Sequence, residues 1–188
     1  MPLTAPTPVL LSPDAYFEWD EAQQVKHEYI HGEVFAMPGG TRAHALITSN
    51  LIFALRLALR GMDCRVYPES LRVQVEDGAR YTYPDISVVC GEELYVDDRQ
   101  TTLVNLSAVV EVLSGSTAAY DRGEKAAAYR QIASLQAIVL VEQEREAAEL
   151  YTRDADGRWT SREVWADERI GLAPLGVEIA MADLYAGV

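Results

Sequence analysis

Cysteine is scarce in this chain: 188 residues hold two, Cys64 and Cys90. Two are too few for a disulfide framework or a cluster of thiolate metal ligands. Both fall in apolar segments, which predicts buried free thiols and a reducing, cytoplasmic setting. Long apolar runs are also missing. The most apolar stretch, "HALITSNLIFALRLALRG", carries Asn50, Arg56 and Arg60. It therefore reads as an amphipathic helix and not a membrane span. The N-terminal "MPLTAPTPVLLSP" has no basic residue ahead of its short apolar run, which argues against a signal peptide.

Positive charge is in short supply as well, and the net charge is −13. Proteins that dock on nucleic acid usually present a basic face, so this total weighs against such a partner. Its distribution softens the objection. Residues 1–41 hold six acids and one base, and residues 131–188 hold eleven and five. Residues 42–130 hold twelve and ten, so the middle can still present a local basic patch. Metal ions would neutralise any cluster of carboxylates. The hydrophobic content of 49% suits one domain spanning 1–188 with a proper core.

Periodicity and turn residues outline an α/β chain. "SPDAYFEWDEA" starts a helix, with Ser12 as cap and Pro13 at the first helical position. "KHEYIHGEVFAMP" reads as a hairpin turning at "IHGE". Gly39, Gly40 and Thr41 lead into a helix over 42–60, whose apolar residues recur at helical spacing until Gly61 ends it. Strands are expected at 64–75, 84–90 and 107–113, a helix over 118–132, a strand in "AIVLVEQ" and a β extension after it. This order predicts a mixed β-sheet flanked by helices.

Two carboxylates interrupt strand-like runs. Asp85 opens "YPDISVVC" after a proline, and Glu111 sits inside "SAVVEVLSG". A buried ionised carboxylate must be paired, metal-bound or protonated. If the two strands pair, two hard oxygen ligands converge, a set that suits Mg²⁺ or Mn²⁺. Lysine is the unusual base here, two against fourteen arginines, which draws attention to Lys125. Its compact ammonium can orient a water or offset charge on a phosphorane-like transition state. The plainer reading is a helix-surface pair with Asp121, four residues earlier. Tyr129, one turn on, reads as core; Ser114, Ser116 and Thr117 read as turn and cap residues. Glu28 falls on the first hairpin and His44 in the first turn of the long helix, where an anion such as phosphate is favoured. Both also suit a solvated surface.

The pair Pro84-Asp85, followed by Glu111-Val112-Leu113, resembles the PD-(D/E)XK nuclease superfamily. Leu113 stands where that superfamily has its lysine. "EVLSGSTAAYDRGEKAAAYRQ" resembles a subfamily whose lysine has migrated to the following helix, at Lys125. "HEYIHGEVFAMP", "RAHALI", "YPDISVV" and "ERIGLAPLGVEIAMADLYAGV" extend the resemblance over nearly the whole chain. His31 and Ala137 depart from the family's usual aspartate and aromatic. The subfamily is a group of small bacterial proteins described as "putative restriction endonucleases", formerly a domain of unknown function. The resemblance implies a restriction-endonuclease-like core with an N-terminal hairpin and a C-terminal β extension. It implies catalytic residues Asp85, Glu111, Lys125 and Glu28, with His44 nearby. The expected ligands of Mg²⁺ or Mn²⁺ are Asp85, Glu111, the Val112 carbonyl and Glu28. The activity implied is metal-dependent hydrolysis of phosphodiester bonds in nucleic acid, DNA first, by a protein compatible with a homodimer.

Two other readings stay open. One is a catalytically degenerate domain that binds nucleic acid or a protein, favoured by the acidic surface and by Leu113. The other is a metal-dependent hydrolase of a smaller phosphorylated substrate. Nothing in the sequence specifies a base sequence, the sugar or the strandedness of a nucleic-acid substrate.

Overall fold

The computed structural model describes residues 10–188 apart from Pro38 and Ser116. The leader reading of residues 1–9 and the cap role of Ser116 lie outside the described residues. Helix α1 (Pro13–Glu21) begins as expected: Ser12 Oγ accepts the Ala15 N–H at 3.3 Å, and Pro13 sits where no N–H is needed. Strands β1 (His27–Ile30) and β2 (Glu33–Ala36) form the hairpin, with His31 at φ 48° and Gly32 at φ 99° making its turn. Helix α2 (Arg42–Ala58) is capped by Thr41, whose hydroxyl accepts the His44 N–H at 3.1 Å.

The expected strand over 64–75 is two strands in different sheets. β3 (Cys64–Pro68) ends at a proline, and the chain turns there, with Ser70 N–H donating to the Pro68 carbonyl at 2.6 Å. β4 (Arg72–Val75) then joins the hairpin's sheet through β5 (Arg80–Thr82), a strand too short to register as a periodic pattern. The remaining strands are β6 (Ile86–Cys90), β7 (Thr102–Leu103), β8 (Ala108–Leu113), β9 (Ala137–Glu142), β10 (Ala147–Arg153), β11 (Trp159–Trp165), β12 (Arg169–Leu172) and β13 (Val177–Ala180). A short helix, Met181–Leu184, follows. The expected mixed sheet is present, and a second large sheet and a hairpin accompany it. The six-stranded sheet runs β11-β10-β9-β8-β6-β3, with β8 and β9 parallel. The five-stranded sheet runs β2-β1-β5-β4-β7.

Strand alternation divides the core. Val110 and Val112 of β8 face one side, with Leu51 and Leu55 of α2, Leu59 at its end and the β12–β13 hairpin. Val109 and Leu113 face the other, against the helical stretch that ends at Tyr129. Glu111 shares the parity of Val109 and Leu113, so its side chain is directed to that helical side. The stretch expected as one helix over 118–132 is three pieces: α3 (Ala118–Tyr120), a π turn (Asp121–Lys125) and α4 (Ala126–Tyr129).

Cys64 and Cys90 are directly opposed across β3 and β6, with Cα atoms 4.0 Å apart, and their sulfurs are bonded. The expectation of free thiols is therefore corrected. Antiparallel register brought together two residues 26 positions apart. The cysteine-based reason for a reducing compartment goes with it. Among the described residues no helix is long and apolar enough to cross a membrane.

Leu55 of α2 is fully buried against the six-stranded sheet. Leu55→Ala should lower unfolding stability by about 2–5 kcal/mol, read from denaturant midpoints at unchanged slope.

Candidate active site

Asp85 lies just ahead of β6, where Ile86 pairs with Val110 of the adjacent β8. This register sets Asp85 beside Glu111 and Val112. The Val112 N–H donates to Asp85 Oδ2 at 2.7 Å, and the Asp85 N–H points at Glu111 Oε2 at 3.4 Å. β6 ends its pairing before Val112, so a strand end, and not a mid-strand ladder, carries the pair. A residue's N–H and C=O point to the same strand edge, so the Val112 carbonyl also projects on the Asp85 side. Asp85 Oδ1 accepts no hydrogen bond among the described residues and is left to the cavity that Asp85 lines.

Lys125 closes the other side. Its Nζ is 2.9 Å from Glu111 Oε1, 3.2 Å from Glu28 Oε1 and 3.8 Å from Asp121 Oδ1. The side chain is only 7% exposed, so the pair with Asp121 is no surface ornament. In an α-helix each step of four residues overshoots a full turn by about 40°. The wider i→i+5 turn at Asp121–Lys125 reduces that drift. Asp121, Lys125 and Tyr129 consequently all turn inward, and the Tyr129 hydroxyl donates to Glu111 Oε1 at 2.6 Å. Tyr129 is core, as its spacing suggested, and a hydrogen-bond partner of the site as well.

Glu28 reaches the site from β1. Its oxygens accept from the Thr82 hydroxyl, from Lys125 and from the Tyr120 hydroxyl at 3.0 Å. Arg80 in turn donates to Tyr120 at 3.1 Å. Thr82 and Tyr120 escaped the sequence reading. Tyr120 had a weak signal, since "YDRGEKAAAY" carries a tyrosine on each side of Lys125. His44, in the first turn of α2, sets Nε2 3.1 Å from Asp85 Oδ2. A Cβ on Gly40 would come within 3.1 Å of the other ring nitrogen, so glycine there keeps that nitrogen uncrowded. All five expected catalytic residues thus border one cavity of about 790 Å³.

The charges are strongly coupled. Complete burial pushes the Glu111 carboxyl up to about 8; Lys125 opposes the shift, while Asp85 and Asp121 add to it. Burial disfavours the Lys125 charge, but Glu111, Tyr129, Glu28 and Asp121 outweigh it and hold the ammonium well above the ordinary lysine range. Burial also raises Glu28, yet Lys125 and the Thr82 hydrogen bond carry it below the ordinary carboxylate range. The hydrogen bond to Asp85 raises His44, against some desolvation.

No three described His, Cys, Asp or Glu side chains are gathered as a preformed metal cage. The donor set nevertheless fits a hard divalent cation. Two adjacent carboxylates and a strand-end carbonyl supply oxygen alone, and Mg²⁺ takes one or two carboxylates while retaining waters. Asp85 and Asp121 add to the rise that burial imposes on Glu111, a repulsion that a bound cation would relieve.

Residues 13–182 match the sequence profile of a family described as "Uma2: Putative restriction endonuclease". The chain belongs to this family. An uncharacterized protein of Synechocystis sp. is 37% identical to it over 186 residues, covering 98% of this chain and 96% of the relative. A second uncharacterized Synechocystis protein is 29% identical over 167 residues, covering 89% and 94%. Among solved structures, a protein of Anabaena variabilis described as "a putative nuclease belonging to DUF820" superposes with TM-score 0.76 at 16% identity. It covers 94% of this chain and 98% of its own, and it establishes the shared nuclease-type fold.

The shifted groups set a pH dependence. The folded Glu111 carboxyl holds its proton to about pH 8, whereas the unfolded one releases it near the ordinary value of 4.5. The folded state then binds more protons between those values, so this contribution is complete below 4.5 and is lost as pH rises toward 8. His44, also raised, acts in the same direction above the ordinary histidine value of 6.5. Metal-free protein should therefore lose stability from pH 5 to 8 in thermal melts, and Glu111→Gln should flatten most of that slope.

Proposed function

We propose that this family member is a divalent-metal-dependent endonuclease that hydrolyses phosphodiester bonds of DNA. The observation that carries the reading is the Lys125 ammonium, buried between Glu111 and Glu28 beside the Asp85–Glu111 pair. That is a nucleophile-positioning cation next to a pair of metal ligands, in a cavity large enough for a nucleotide. Asp85, Glu111 and the Val112 carbonyl would hold Mg²⁺ or Mn²⁺, with Glu28 reached through water, since its oxygens already accept from Thr82, Lys125 and Tyr120. When bound, the ion supplies Lewis acidity and lowers the pKa of a coordinated water.

The chain's own residues do the rest. Lys125 aligns the attacking water and offsets negative charge that develops on the phosphoryl oxygens. Glu28 and Asp121 fix the ammonium in place and keep it charged. His44, drawn toward its protonated form by Asp85, adds a positive group at the N-terminus of α2, where a phosphate is already favoured. In-line attack with the 3′-oxygen leaving gives a 5′-phosphate and a 3′-hydroxyl, the outcome that the superfamily resemblance implies.

A catalytically silent domain was suggested by Leu113 in place of lysine. Leu113 is a buried core residue, and Lys125 supplies an ammonium to Glu111 from the neighbouring helix. This supports the active reading against the second of the two grounds for a silent domain, the other being the acidic surface.

Supercoiled plasmid should be nicked by the purified protein with Mg²⁺ or Mn²⁺ and left intact with EDTA. Asp85→Ala should abolish cleavage while the circular dichroism spectrum is retained. Lys125→Met should lower the rate on the order of 10²–10³-fold. Cleavage retained in Asp85→Ala would defeat the assignment.

A further inference from the structure

The cavity at Asp85 has a neighbour. A second pocket, of about 540 Å³, is lined by Arg56, Arg60 and Arg65, and Pro68 borders both. One face of α2 walls the two in succession. Ala45, Thr48, Ser49 and Ile52 line the first, and Arg56, Leu59 and Arg60 line the second. Those positions recur every three or four residues, which is one side of a helix. Opposite the second pocket runs β3, an edge strand of the six-stranded sheet. The two pockets share Pro68 and follow one another along the α2 side, a trough in two parts.

The charge along this trough reverses. The first pocket holds Glu28, Glu69, Asp85, Glu111, Asp121 and Glu124 against Lys125 and His44. The second holds arginines and no acid. Elsewhere the described arginines and lysines are tied to carboxylates, carbonyls, hydroxyls or rings: Arg42 to the Gly187 carbonyl, Arg130 to the Tyr151 ring, Arg153 to the Ala133 carbonyl. Arg65 is paired with Asp63 and Glu93. Arg56 and Arg60 are exposed and, among the described residues, have no ion pair, hydrogen bond or ring contact. In a chain of net charge −13, two adjacent arginines without partners are an anomaly that an anion would resolve. The helix dipole favours a base at Arg56 in the last turn, but Arg60 lies beyond the end of α2 and needs another reason.

We infer that Arg56 and Arg60 bind the phosphate backbone of the DNA strand whose scissile bond lies at Asp85 and Glu111. This deepens the nuclease reading and rests on it. Arg56 is about 18 Å along the helix axis from His44, at 1.5 Å per residue, and Arg60 follows just past the helix end. With about 3.4 Å of duplex axis per phosphate of one strand, about 18 Å measured parallel to that axis spans about five nucleotides. The site therefore takes a polymer: a mononucleotide cannot reach both ends of the trough. The arginines contact charge and not base edges, so the grip carries no sequence preference. It also supplies the attraction that the acidic catalytic pocket lacks.

The test is equilibrium binding of a fluorescein-labelled 20-base-pair duplex in EDTA at several salt concentrations. Full-length protein carrying Glu111→Gln is used so that the probe stays intact. Adding Arg56→Ala and Arg60→Ala should weaken binding and make the slope of log K against log salt shallower by about 1 per arginine. Arg158→Ala, an exposed control at a distant turn, should leave the slope unchanged. An undiminished slope in the double arginine variant, with the plasmid still cleaved by wild-type protein, overturns the trough and spares the nuclease. A shallower slope without wild-type cleavage keeps the trough and overturns the nuclease. No duplex binding by the Glu111→Gln protein overturns the inference outright.

Discussion

Everything at the candidate site depends on one buried ammonium. Lys125 is the cation within 4 Å of Glu111, Glu28 and Asp121 together, in surroundings that exclude most water. An unpaired charge there would be strongly unfavourable, and each carboxylate alone would be protonated or expelled. Together they hold one another in place. The π turn exists where Lys125 and Tyr129 must both reach Glu111, and the five-stranded sheet supplies Glu28 from the other side. The site is thus assembled at the seam of two sheets and a helix, which couples its geometry to the packing of the whole core.

That arrangement leaves a deliberate imbalance. One lysine faces several carboxylates at the cavity, and Asp85 and Asp121 add to the rise that burial imposes on Glu111. An excess of acid beside Asp85, with one of its oxygens directed to the cavity, is the electrostatic state expected of a pocket completed by a divalent cation. The same imbalance would repel a polyanion, and so the unpaired arginines lower in the trough matter to how a nucleic acid would approach.

Much of this was legible in the residues, for identifiable reasons. α1, α2 and the first hairpin announce themselves by caps, periodicity and turn residues that act over a few positions. Asp85 and Glu111 stood out because charge within an apolar strand violates a strong rule. The pairing of β6 with β8 then confirmed their adjacency. What stayed hidden depends on long-range register or on local departures from regularity. The bond between Cys64 and Cys90 follows from which residues oppose each other across two strands, information no spacing carries. The split of 64–75 turned on a proline that ends one strand and sends the chain to another sheet. The π turn has no period of its own, and Thr82 and Tyr120 look like ordinary strand and helix residues until Glu28 arrives between them.

The most direct test of the central claim is a calorimetric titration of Mn²⁺ into the wild-type protein and into Glu111→Gln. The account predicts saturable binding by the wild type that strengthens as pH approaches 8, when Glu111 gives up its proton, and that is lost in the variant. Absence of binding by the wild type, or binding undiminished in Glu111→Gln, would contradict it and leave Glu111 as the buried partner of Lys125 alone.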